Sequence, residues 1–405
     1  MAEQRLRLGL LGVGRRGQTH LATIAGLADR YELVAVCDVD EKNAQAAAER
    51  ADVKAYSNVA EFFAREKLDV VDIVTPPESH HLMAMAAAEH GVNMLIETPL
   101  ATTRAMMDVI QEVAAKAGVH VEVGENMWRQ PPAQLNRAAI DAGLIGRVLR
   151  VSTHYESIGQ QGSYHQMSLM RFYTGGELDE VRGISREFKL AEGTAASSSE
   201  LWTQATLSFK NGALGSCTYV SSWLTPLRRG HPAFTSIEGT EGFIVAGRGA
   251  SALHRIEHGV QVVYPLRIEA GAGGVKDAPA RYFYETTPPV EYVNPFAGQD
   301  LGYAGPYGPL DAIAIGAELS SIHRAVESKP DTNFYGLERA RLDQEMSIAI
   351  NESARLDGRP VRLPLGEQTE WERRVHEAFE KRFGGDPIKD ARKLLAQSFT
   401  GGTRY

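Results

Sequence analysis

Cysteine is nearly absent: only Cys37 and Cys217 occur in 405 residues. Two thiols cannot form a disulfide framework, and they suit a reducing compartment, so the expected localisation is cytoplasmic. No apolar run reaches membrane-spanning length, and the first residues lack a charged-then-apolar leader pattern. Lysine and arginine do not cluster; 43 of them stand against 51 acidic residues, for a net charge of −8. That balance argues against nucleic acid or an anionic membrane as a partner. Histidines do not fall at ligand spacing with cysteines or carboxylates, and the adjacent His80-His81 point apart on a helix, so no metal is expected. Internal repeats and low-complexity segments are missing too. What remains is a globular composition, 43% hydrophobic and 23% charged, in a chain long enough for two domains.

The chain is organised around its first residues. Leu6, Leu8, Leu10 and Leu11 read as a buried strand, followed at once by Gly12-Val13-Gly14-Arg15-Arg16-Gly17 and a helical pattern. In a strand–turn–helix of this kind the first glycine permits the turn and the second admits a pyrophosphate close to the backbone. The third lets helix and strand pack, and the helix N-terminus faces the phosphates. A second strand ends in Asp38, about twenty residues on, where a ribose-binding acid belongs. Strand and helix signals then alternate as far as Val123, which predicts a doubly wound parallel sheet over residues 1–124. Ligands of such sheets lie at the carboxyl ends of the strands. Those ends carry Gly12 to Gly17, Asp38, Thr75-Pro76-Pro77 and Glu97-Thr98-Pro99.

After Asn126 the texture changes. One helix leads into a series of short alternating strands, and Asn211-Gly212 marks a hairpin between two of them. The expectation for residues 125–364 is an α/β domain with an open, mostly antiparallel sheet. Residues 295–309, rich in Gly, Tyr and Pro, read as an ordered surface loop. A helical extension over 365–405 carries Trp371, Val375 and Phe379 as an apolar stripe.

These motifs resemble the glucose–fructose oxidoreductase / inositol dehydrogenase / rhizopine-catabolism family, Gfo/Idh/MocA, over about residues 5–364. The resemblance is carried by the glycine loop with His20, by Cys37-Asp38, and by Thr75-Pro76 with His80. Glu97-Thr98-Pro99-Leu100-Ala101 stands where the family usually has E-K-P-L-A. Val123-Gly124-Glu125-Asn126, Gly143-Leu144-Ile145-Gly146, the block His165 to Arg171, and Asn351 to Ala354 with Gly358 to Val361 complete it. It implies a Rossmann domain plus a sheet domain, and hydride exchange between NAD(P) and a sugar, glycoside or cyclitol carbon. It also implies a homo-oligomer, dimer or tetramer, paired through the second-domain sheet. Two departures stand out: the family's lysine is Thr98, and the acid three residues after the histidine is Ser168.

The resulting candidates are Gly12, Gly14, Arg15, Arg16, Gly17, Asp38, Thr75, Pro76, His80, Glu97, Thr98 and Asn126 for the cofactor. Asn126, Trp128, Tyr155, Tyr164 and His165 are the candidates for the substrate. Alcohol oxidation sends a hydride to the nicotinamide and a proton to a base. Thr98 cannot hold a charge, although its hydroxyl can hydrogen-bond substrate or nicotinamide, so His165 is the candidate base, with Tyr164 as a reserve donor. Without an acid at 168, His165 loses a partner that would raise its pKa. A structural histidine, and a core-packing Trp128, are the competing readings. Arg228-Arg229-Gly230-His231 reads as an anion site, a subunit contact or a solvated loop. Asp38, with no arginine in the next two positions, favours NAD over NADP, though Arg15 and Arg16 beside the loop are able to accept a 2′-phosphate. Two further functions fit the same residues: a glycosidase or lyase working by transient oxidation, and a dinucleotide-binding regulator that has lost catalysis.

Overall fold

The computed structural model describes residues 5–189, 199–220, 233–247, 250–271, 279–303, 308–329, 331–395 and 397, without the side chains of 155–162 and 250. The Arg228 to His231 cluster lies outside the described residues.

The first domain alternates β1 (Leu6–Leu11), α1 (Arg15–Gly26), β2 (Tyr31–Cys37), α2 (Glu41–Ala51), β3 (Lys54–Tyr56), α3 (Val59–Arg65), β4 (Val70–Ile73), α4 (His80–Glu89), β5 (Asn93–Glu97), α5 (Arg104–Ala117) and β6 (Val121–Gly124). Its six strands are parallel, in the order β3-β2-β1-β4-β5-β6, with the order reversing beside β1. That is the doubly wound topology expected from the alternation. The strands read as nearly unbroken apolar runs because both faces are covered. Leu11, Val71, Ile73 and Met94 meet α4 and α5 through Leu82, Met83, Met106 and Ile110. Leu8, Leu10, Val70 and Leu95 face the other way.

The second domain begins with α6 (Pro131–Asp141), β7 (Val148–Ile158) and α7 (Gly159–Thr174). Strands β8 (Leu178–Lys189), β9 (Ser199–Phe209), β10 (Leu214–Val220), β11 (Phe234–Gly239), β12 (Gly242–Gly247), β13 (Ala250–Glu257) and β14 (Val260–Pro265) follow. A small sheet is formed by β15 (Arg267–Glu269), β16 (Arg281–Tyr284) and β17 (Val290–Val293). Then come α8 (Pro309–Val326), α9 (Leu337–Arg355), β18 (Val361–Arg362), α10 (Glu370–Phe383) and α11 (Ala391–Leu394). The large sheet runs β14-β13-β12-β11-β7-β10-β9-β8-β18. Its pairs are antiparallel except β7 with β10. The Asn211-Gly212 hairpin forms between β9 and β10, with Gly212 at φ +84°. Helices α7 and α9 cover one face.

Packing does not follow the linear order of the chain. Helix α8 covers the first sheet beside α1, where Ile313, Leu319 and Ile322 are fully buried against Leu8, Ile24 and Leu27. Each such side chain contributes about 2 kcal/mol by burial. The Tyr31 hydroxyl donates to the Leu319 carbonyl at 2.6 Å. Residues 295–303 of the stretch expected to be a surface loop are in fact docked: Phe296, Leu301 and Tyr303 are buried in this same core, and Gly26 lets the backbone of Asp300 and Leu301 approach α1. Its aromatic and branched side chains, not its Gly and Pro content, decide its place. The extension holds both domains. Glu372 of α10 pairs with Arg104 at 2.7 Å, and Glu352 of α9 accepts the Trp371 N–H at 2.9 Å. Val375 and Phe379 are buried, as the apolar stripe predicts. No described helix is long and apolar enough to cross a membrane.

Candidate functional site

The nucleotide end is built from local sequence. Gly12 has φ +88°, and a Cβ there would stand 2.6 Å from the Val74 carbonyl oxygen. A Cβ on Gly17 would stand 2.1 Å from the Gly12 carbonyl oxygen, so the third glycine is what lets α1 close onto the loop. Gly14 differs: it is the N-cap of α1, makes no side-chain cap, and a Cβ there would meet nothing within 4 Å. Open space in front of uncapped helical N–H groups fits a pyrophosphate. Asp38 lies at the end of β2, its Oδ2 accepting the Val13 N–H at 2.8 Å and its Oδ1 the Asp40 N–H at 2.9 Å. These bonds fix the carboxylate and leave lone pairs for ribose hydroxyls. Thr75 and Pro76 are half-buried at the next strand end, and Ser79 donates to Thr75 at 2.9 Å. His80 is buried between the carbonyls of Thr75, at 2.8 Å, and Pro99, at 3.0 Å, so it ties two strand-end loops together. Burial pushes its pKa below the usual value.

Behind that end lies a buried ion network. Arg16 is held between two carboxylates: Nε donates to Glu97, and Nη1 to Asp311 at 2.6 Å. Arg15 is exposed. His20 has no solvent exposure, with Nδ1 2.8 Å from Asp72 and Nε2 2.9 Å from Glu97. Burial alone would lower its pKa, but Asp72 and then Glu97 more than reverse this and push it up to about 10, so the ring is an imidazolium donating from both nitrogens. Burial likewise raises Glu97, yet Arg16 and His20 hold it well below the carboxylate range. Asn126 joins through its Nδ2, 2.6 Å from Asp311. Glu318, on α8 and fully buried 3.9 Å from Arg129, is pushed well above the usual value by desolvation.

The third group stands where the domains meet. His165 on α7 keeps 22% of its side chain exposed, and its Nδ1 is 2.8 Å from Glu125 Oε2. Burial lowers its pKa, but the Glu125 carboxylate more than compensates, with a smaller push from Glu97 and an opposing one from Arg16. His165 is therefore not short of an acid, as the loss at Ser168 predicts; the acid arrives from β6 instead. Thr98 is half-buried, its N–H donating to Glu97 Oε2 at 2.8 Å.

Two candidates do not line this junction. Tyr164 has no exposure, and its hydroxyl is bonded at 2.9 Å to Tyr335, which in turn donates to Asp343. A phenol committed inside the core cannot donate to substrate. Trp128 is 5% exposed, packs on Phe172 with ring centroids 5.3 Å apart, and carries the Arg129 guanidinium 4.7 Å from its ring. It borders a separate cavity of about 300 Å³ with Arg30, Phe296 and Arg324. Tyr155 lies on β7, and its side chain is outside the described residues. Glu125, Asp311 and Asp72 were given no role by sequence reasoning. Glu125 had a signal, since it follows a strand's carboxyl end. Asp311 had none, because its partners Arg16 and Asn126 are 295 and 185 residues away.

An uncapped glycine turn, an acid at the next strand end and a polar junction between two domains define a dinucleotide-binding Rossmann protein with a second sheet domain. Residues 6–125 match the model of the "Oxidoreductase family, NAD-binding Rossmann fold" (Gfo/Idh/MocA), so this domain is similar to that family over about the first third of the chain. It is similar to a D-apiose dehydrogenase of Paraburkholderia graminis, 33% identical over 144 residues, which are 35% of this chain and 38% of that one. It is also similar to an inositol 2-dehydrogenase of Salmonella typhimurium, 32% identical over 157 residues, 38% of this chain and 46% of that one. The chain thus spans less than half the length of these curated relatives. Over both domains it shares the fold of the WlbA dehydrogenase of Bordetella pertussis, solved with NADH and UDP-GlcNAcA. That likeness has a TM-score of 0.64 at 20% identity, over 90% of this chain and 100% of that one.

Proposed function

We propose that this protein is an NAD-dependent oxidoreductase that moves a hydride between the nicotinamide and a hydroxyl-bearing carbon of a sugar, glycoside or cyclitol, with His165 as the proton relay. The observation that carries the reading is a partly exposed imidazole at the domain junction, in the field of Glu97 and Arg16 at the carboxyl ends of the strands. When bound, NAD supplies hydride transfer; the chain supplies everything else. Gly12, Gly14 and Gly17 admit the pyrophosphate, and Asp38 takes the ribose hydroxyls. Glu97, Thr98 and Asn126 line the approach to His165. The names of the relatives, inositol and apiose dehydrogenases, favour a polyhydroxylated substrate.

NAD is favoured over NADP because Arg16 is committed to Glu97 and Asp311, while Asp38 repels a 2′-phosphate. Two buried free cysteines fit the cytoplasm. The sheet face opposite α7 and α9 exposes Ile184, Phe188, Leu214 and Ile256, and this is the surface we assign to a homo-oligomer. The test is NAD⁺ reduction at 340 nm with a panel of sugars and cyclitols. The reading predicts turnover with at least one of them and a preference for NAD of tenfold or more. Binding of neither NADH nor NADPH would refute it.

A further inference from the structure

We propose that Glu125 is the positioning residue of this site, holding the His165 imidazole with Nδ1 protonated and Nε2 left to exchange a proton with substrate. This rests on the reading of His165 as the proton relay. It gives to the carboxyl end of β6 the task that the resemblance places at position 168.

Position 168 cannot do that work. Ser168 lies one turn beyond His165 on α7, is 2% exposed, and carries no charge. Glu125 approaches from the residue just after β6 and has no exposure at all. Its backbone N–H donates to the Val123 carbonyl at 2.8 Å, and its Oε1 accepts the Met127 N–H at 2.9 Å. The carboxylate is thereby anchored by its own loop, and Oε2 has one direction left, toward His165 Nδ1 at 2.8 Å. A buried carboxylate with one amide donor needs a second donor, so Nδ1 carries the hydrogen in either charge state of the ring. That fixes the tautomer and leaves the Nε2 lone pair as the base.

Oxidation then balances within the site. The substrate O–H bond breaks and its proton goes to Nε2, while the C–H electron pair leaves with the hydrogen for NAD⁺ as the C=O bond forms. The charges facing the ring from neighbouring elements are Glu125 after β6, Glu97 at the end of β5 and Arg16 on α1. On α9, which packs on α7, Asp343 is paired with Arg171 at 2.6 Å. On α7 itself the neutral Tyr164 ring stands edge-on at 6.0 Å. Two carboxylates against one guanidinium favour the imidazolium, and Glu125 is the one in contact.

Histidine-ring ¹⁵N NMR titration of the full-length protein tests this without knowledge of the substrate. In wild type the His165 ring titrates above pH ~6.5. Glu125→Gln keeps the shape and removes the charge, and the His165 midpoint falls by about one to three pH units, with NADH affinity within about twofold of wild type. Glu125→Asp, the variant to use should E125Q fail to fold, retains the charge at greater reach and gives an intermediate midpoint. A His165 midpoint the same in E125Q, or in E125D, as in wild type overturns the proposal. Turnover measured in parallel separates the two claims: His165→Ala at the wild-type rate refutes the proton relay, whatever the NMR midpoints show.

Discussion

The nucleotide end and the domain junction of this site are assembled in opposite ways. The glycine turn and Asp38 come from residues 12–38 and are held by bonds such as Val13 N–H to Asp38, within one βαβ unit. The junction gathers Glu125, His165 and Asp311 from β6, α7 and α8, and ties Asp311 back to Arg16. Backbone geometry fixes the first region, so its demands show as glycines at set spacing. Electrostatics fixes the second, and its charges are paired only once distant elements have packed.

Substitutions that treat the two regions differently sharpen this contrast. Gly17→Ala has the largest effect, because its Cβ meets the backbone of Gly12 at 2.1 Å and neither can yield. It is expected to cost about 3 kcal/mol or more, or to prevent folding, as read by urea denaturation. Arg16→Met removes the cation shared by Glu97 and Asp311 and leaves carboxylates buried at 10% and 5% exposure. A loss of about 3 kcal/mol in the same assay is expected, and a change under 1 would deny the network its importance.

His20 gives a pH signature. Its folded pKa of about 10 is raised above the unfolded ~6.5, so the folded state holds a proton that the unfolded chain releases. Its contribution is complete below pH ~6.5 and is lost as pH rises through 10. Stability is predicted to fall by up to about 1.4 kcal/mol per pH unit across that window, and His20→Gln should flatten the slope. A wild-type slope unchanged in the variant would show that the ring is not cationic. Gly14→Ala closes the series. Its Cβ has open space, so stability moves by less than about 0.5 kcal/mol, whereas NADH affinity, measured by fluorescence, drops tenfold or more. If affinity is retained, the pyrophosphate does not lie at this turn.

The same contrast decides what was readable from the chain. The parallel order of the first sheet, the Asn211-Gly212 hairpin and the buried stripe of α10 follow from periods of two and 3.6 residues and from turn chemistry. Glycine spacing revealed the tight strand–turn–helix at Gly12 to Gly17 for the same local reason. What was not readable depends on packing across long separations. Residues 296–303 look like loop but bury aromatic side chains against α1, and α8 leaves the second half of the chain to complete the first core. Tyr164 and Tyr335 show the cost of judging a donor by its chemistry alone, since their hydroxyls bond to each other inside the core. Position 168 carries no acid, and the carboxylate that does reach His165, Glu125, follows β6, forty residues earlier in the chain.

The most direct test of the account is NAD⁺ reduction by wild type and His165→Ala over a panel of cyclitols and sugars, with NADH affinity measured on both. The account predicts wild-type turnover with a polyhydroxylated substrate and a loss of about a hundredfold or more in H165A at unchanged NADH affinity. Equal turnover in the two proteins would contradict it.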